Sequence, residues 1–136
     1  MLFQIKWLTR QRLFLLLTAL LMAFILWAIY SANSGQSTIF SDLVKNVPFG
    51  DKVGHFALFG GLSLPLNLSL SMRVYRPLRC YWGTLIVGLF ALIEECSQAL
   101  NATRTFDLGD LAADVAGLSC AALLTYMIAK RSRVAT

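Results

Sequence analysis

The chain has one histidine in 136 residues, His55, and three cysteines that form no C-x-x-C pair. With no H-x-x-x-H spacing either, the sequence offers no metal site and no cofactor motif, and His55 with Glu95 and Asp110 is the nearest approach to a ligand set. Cys80, Cys96 and Cys120 are odd in number and lie in apolar runs. They read as small buried hydrophobes and not as a disulfide framework. Charge is also scarce, at 14% of residues against 57% hydrophobic, which excludes an ordinary soluble domain. The net charge of +5 does not point to nucleic acid, because the basic residues gather at the ends of apolar runs, where orientation signals of membrane proteins lie. No internal repeat and no low-complexity tract interrupts the chain.

What the sequence does contain is four apolar stretches, about 13–30, 53–72, 80–100 and 108–129. A bilayer core takes roughly 20 apolar residues per helix, so the expected fold is all-α: a single domain over residues 1–136 built as a polytopic transmembrane four-helix bundle. The first stretch is longer than the apolar segment of a signal peptide and no small-x-small cleavage site follows it, so it reads as an uncleaved span. Between the first two spans, Ile39, Phe40, Leu43, Val44 and Val47 suggest a short amphipathic turn on the membrane surface, ended by Pro48. Pro65 predicts a kink in the second span. Ala57 and Gly61, with Ala113, Gly117 and Ala121, are spaced for close helix contact. Lys6, Arg10, Arg12, Arg73, Arg76, Arg79, Lys130, Arg131 and Arg133 fall on one side, against Lys45, Lys52 and Arg104 on the other, which places both termini in the cytoplasm.

The remaining polar residues are not scattered. Asp51 and His55 share a face at the outer end of span two, Glu95 and Gln98 share one on span three, and Asp107, Asp110 and Asp114 descend one face of span four. At about 1.5 Å per residue, Glu95 and Asp114 lie roughly 8–10 Å inside the outer helix ends. A carboxylate facing lipid there costs a few kcal/mol, so these groups are expected to converge on an interior pocket, with Arg104 as a counter-ion. Asp42, Lys45, Lys52 and Glu94 read as interfacial groups, and Asp107 suits a helix cap equally well.

The stretches "VPFGDKVGHFALFGGLSL" and "IEECSQALNATRTFDLGDLAADVAGLSCAALL" resemble the VanZ-like membrane protein family. The shared pattern falls on Asp51, Lys52, His55 and Phe56, then on Glu95, Gln98, Arg104, Phe106, Asp107, Asp110 and Gly117, and covers about residues 47–129. Asp114 stands where the family usually has asparagine, which makes the site more acidic or holds a buried carboxyl protonated. The resemblance implies a multi-pass protein of a bacterial cytoplasmic membrane with a role in the cell envelope; the family's founder is associated with resistance to the lipoglycopeptide teicoplanin.

Two functions compete at this point. In one, an outward-facing pocket of Asp51, His55, Glu95, Gln98, Arg104, Asp107, Asp110 and Asp114 binds the head group of an envelope lipid, a lipid-linked glycan or a lipoglycopeptide. In the other, His55, Glu95 and Asp110 are the acid and base of an intramembrane enzyme. Ser97 lies beside them but in no G-x-S-x-G or S-x-x-K setting, so it does not read as a nucleophile. A proton-linked carrier finds no matching ionisable groups in the cytoplasmic halves of spans one, three and four.

Overall fold

The computed structural model describes the backbone over residues 2–36, 38–102 and 104–134, and side chains over 9–36, 38–39, 42–44, 46–102 and 104–132. Its elements are α1 (Leu2–Asn33), α2 (Ile39–Lys45), α3 (Gly50–Ser69), β1 (Val74–Tyr75), β2 (Cys80–Tyr81), α4 (Trp82–Gln98) and α5 (Leu108–Val134). The chain is therefore mostly helical. Among the described residues, two helices are long and apolar enough to cross a membrane, over Thr9–Asn33 and Leu108–Ser132.

The helices depart from the apolar stretches for local reasons. α1 and α5 run past their apolar runs into the basic segments at either end, because lysine and arginine are good helix formers and loss of hydropathy does not end a backbone helix. α1 closes at Gly35, whose φ of 66° lets the Gly35 and Gln36 amides turn back to the carbonyls of Ala32 and Ser31. α4 starts later than expected because Cys80 and Tyr81 pair with Tyr75 and Val74 in a small antiparallel hairpin, where a bare connection was anticipated. The amphipathic turn is present as α2, with Ile39 and Leu43 exposed; Phe40 lies outside the described side chains. Gly50 then opens α3 against it, since a Cβ there would stand 1.9 Å from the Val44 carbonyl oxygen.

α3 is the central helix: it packs along α5 most extensively, and also against α1 and α4. Its closest approach is at Gly60 and Gly117, where added Cβ atoms would meet the Gly117 carbonyl oxygen at 2.8 Å and that of Phe56 at 2.3 Å. Gly117 and Ala121 thus act as their spacing suggested, but Ala57 and Gly61 do not. Both are exposed, and the α3 surface that meets α5 is offset by one residue. Pro65 is buried within α3, and the helix continues through it to Ser69.

The distribution of polarity is inverted relative to a water-soluble protein. Leu13, Leu20, Leu26, Trp27, Leu89 and Leu123 are exposed, whereas Ser63, Asn67, Glu95, Asp114 and Thr125 are buried. The three cysteines are free and not buried as expected: Cys96 and Cys120 are exposed and Cys80 half-buried, because the apolar runs that carry them face outward. A small apolar core of Ile25, Phe59, Leu62, Val87, Ala91 and Leu118 holds the centre.

Below that core, a neutral polar knot joins three helices. The Asn67 side-chain amide donates to Thr84 Oγ1 at 2.9 Å and Thr125 Oγ1 at 3.2 Å, and its carbonyl oxygen accepts the Thr84 N–H at 2.9 Å. Ser63 adds a hydroxyl contact to Thr84 at 3.1 Å. Every strong group of Asn67 is thereby used within the bundle.

Candidate functional site

The charged residues at the other end of the bundle converge through hydrogen bonds. The Lys52 ammonium, on the first turn of α3, lies 2.9 Å from Asp51 Oδ2, 2.7 Å from Asp107 Oδ2 and 3.0 Å from Asp110 Oδ1. Lysine is a compact charge on a flexible stem, and here one ammonium uses three donors on three carboxylates. Lys52 had read as an interfacial group and Arg104 as the counter-ion. The structure corrects the first reading: among the described residues Lys52 is the central cation, while Arg104 is the counter-ion of Glu94, with Nη2 at 3.8 Å. The Lys52 hydrogen bond also holds the Asp107 carboxyl below its ordinary pKa, reinforced by the Gly109 amide.

Asp107 does both jobs considered for it. Its Oδ1 accepts the Gly109 N–H at 2.7 Å, which caps α5, while Oδ2 holds Lys52. Its own N–H donates to Glu95 Oε1 at 2.7 Å, so the connection after α4 is tied back to that helix. Glu95 is fully buried, and its Oε2 accepts from Gln98 Nε2 at 3.0 Å. Gln98 donates to Glu94 Oε2 as well, at 2.9 Å. Glu94, expected at the interface, is buried and belongs to the cluster.

His55 is held from two levels of α5. Nδ1 lies 3.1 Å from Asp114 Oδ1, Nε2 lies 3.8 Å from Asp110 Oδ2, and the ring rests on Phe59. Asp114 is 1% exposed, and its Oδ2 has no hydrogen-bond partner among the described residues. Ser97 faces outward, and its hydroxyl donates to the Glu94 carbonyl oxygen at 2.6 Å, so it has no place in the site.

These groups form one wall of a cavity of about 380 Å³, whose opposite wall is the apolar face of α1 around Ile25, Ala28 and Ile29. Asp51, His55, Gln98, Arg104 and Asp110 line it, together with Glu94. Glu95, Asp107 and Asp114 lie behind that lining and act on it: Glu95 through Gln98, Asp107 through Lys52 and Asp114 through His55. All eight residues read from the sequence are therefore in one network, but only five of them reach the cavity. Lys52 and Glu94 were missed, although their carboxylate-rich neighbours were a signal that more cations and anions share the space.

No family model matches this sequence, and no solved structure matches it. The chain is 36% identical over 86 residues to the uncharacterized protein C11E3.10 of the fission yeast Schizosaccharomyces pombe, a match that covers 62% of this chain and 52% of that protein. The chain thus spans about half the length of the curated relative it matches. That relative is eukaryotic, which lends no support to the bacterial setting and the glycopeptide role implied by the resemblance.

Proposed function

We propose that the protein is a multi-pass membrane protein of the VanZ-like kind, with α1, α3, α4 and α5 as spans, both termini on the basic cytoplasmic side, and the cavity opening toward the outer face. Its role is to bind the polar head group of an amphiphile. The carrying observation is the composite cavity: about 380 Å³, acidic and hydrogen-bonding on the α3, α4 and α5 side and apolar on the α1 side. That volume lies in the range of small-ligand sites, roughly 300–1,000 Å³. It suits a lipid head group or a terminal sugar, and it is too small for a whole lipoglycopeptide.

The two walls call for different parts of one ligand. Glu94 and Asp110 accept hydrogen bonds from hydroxyl or ammonium groups, Arg104 takes an anionic oxygen, and Ile25, Ala28 and Ile29 take methylenes. Native mass spectrometry from nanodiscs of mixed lipid composition tests this: wild type retains one lipid class, and an Arg104→Ala, Gln98→Ala double variant loses it. Equal retention by both proteins rejects the cavity as the binding site.

An enzymatic role has one specific observation in its favour. Asp114 holds His55 by Nδ1 while Nε2 is turned toward Asp110 at the cavity wall, an orientation that suits a general base. Turnover of a lipid-linked substrate that vanishes in His55→Ala but persists in Ser97→Ala supports it; turnover that survives His55→Ala removes it.

A further inference from the structure

We propose that His55, Glu95 and Asp110 bind one divalent transition-metal ion, with Asp114 orienting the histidine. The three residues each offer a ligand atom, all lying within 4.8 Å of one another. Ligands about 2.1 Å from a shared ion stand at most ~4.2 Å apart, so small side-chain rotations close the set. One imidazole nitrogen with two carboxylates is a donor set suited to zinc, iron(II) or manganese.

The surroundings match what such a site requires. A metal-binding histidine usually donates its second ring nitrogen to a carboxylate, and metal-binding carboxylates are themselves hydrogen-bonded. His55 meets Asp114 through Nδ1 at 3.1 Å, leaving Nε2 for the ion. Both Glu95 oxygens already accept a hydrogen bond, from the Asp107 N–H and from Gln98, which fixes the carboxylate while leaving lone pairs for the ion.

Charge supplies the independent argument. Asp51, Glu94, Glu95, Asp107, Asp110 and Asp114 share this end of the bundle, and the cations placed among them are Lys52 and Arg104. With the carboxylates ionised, four negative charges are left over when His55 is neutral and three when it carries a proton, in a partly buried setting where unpaired ions are costly. Beside the set, Asp114 has one buried oxygen with no hydrogen-bond partner among the described residues. A divalent ion bound to neutral His55 lowers the excess to two. A second acidic set, Asp51, Asp107 and Asp110, has similar spacing, but the Lys52 ammonium already occupies its centre.

The inference goes beyond the head-group proposal and is tested without any amphiphile. Detergent-purified protein is stripped with EDTA and titrated with Co²⁺ alone, following its visible absorption and the bound metal per chain. One Co²⁺ per chain, displaced by Zn²⁺, is expected. Glu95→Gln and His55→Ala should abolish the visible bands, Asp114→Asn should weaken binding roughly 10–100-fold, and Asp42→Asn, which removes an equal charge at an exposed position on α2, should leave the bands unchanged. Chromatography of each variant reports its folding, and the isosteric Glu95→Gln and Asp114→Asn carry the test if His55→Ala does not fold. Absence of binding at millimolar Co²⁺, or equal binding by wild type and Glu95→Gln, overturns the site.

Discussion

His55 on α3 and Asp114 on α5 meet at 3.1 Å one helical turn from the point where the two helix backbones come closest, at Gly60 and Gly117. The polar contact and the tight crossing therefore depend on each other. A shift of α5 by a fraction of an ångström changes the position of the imidazole at the cavity wall.

The glycine crossing leads to a paired prediction. Gly117→Ala places a methyl group 2.3 Å from the Phe56 carbonyl oxygen, a backbone atom that cannot rotate away, and overpacking of this kind costs about 1–3 kcal/mol. Gly61→Ala meets nothing within 4 Å and should be neutral or stabilising by up to about 1 kcal/mol, as alanine favours helix over glycine. Thermal unfolding in detergent measures both, and equal midpoints for the two variants would mean that α5 packs on another face of α3.

Lys52 is the only ammonium described within hydrogen-bonding distance of Asp51, Asp107 and Asp110. Lys52→Met keeps the length of the stem and removes the charge, leaving three carboxylates to repel one another. A lower unfolding midpoint is expected, with no comparable drop in Lys130→Met, whose residue is exposed on α5. Equal effects in the two variants would reduce Lys52 to a surface charge.

Asp107 gives a dependence on pH whose sign follows from its hydrogen bonds. Lys52 holds the folded-state pKa below the ordinary value of 3.8, so the stabilisation is complete above that value and is lost as pH falls through the lower, folded one. Asp107→Asn retains a side chain able to cap α5 but never carries the charge. It should be less stable than wild type at neutral pH, and the gap should close in acid. A gap that stays constant from pH 7 to pH 3 would show that the carboxylate contributes nothing through its ionisation.

Ala28 tests the apolar wall without touching a polar group. Ala28→Trp projects an indole into the cavity from α1 and should weaken retention of a bound amphiphile by roughly tenfold or more, about 1.4 kcal/mol, at unchanged stability. Undiminished retention would move the ligand to another surface.

The helical course of the chain and the identity of most of the polar network were legible in the sequence, because an apolar run cannot leave Glu95 or Asp114 unpartnered in hydrocarbon. Rotation about the helix axis was less legible. Choosing Gly61 instead of Gly60 is an error of one residue, or about 100°, and two adjacent glycines give no apolar pattern to decide between them. Lys52 was misjudged because its four-carbon stem lets the charge travel far from its place on the helix. Thr84 and Thr125 lie unremarked in apolar runs and gained meaning only when Asn67 was found between them. The strands of the hairpin, two residues each, are too short to impose any periodicity.

α1 rests chiefly along α3 and supplies the greasy side of the cavity. If the occupant is a lipid, this placement lets its tails stay among neighbouring chains while only the head turns inward. Recognition would then require no extraction into water, and lateral diffusion alone would bring the occupant to the protein.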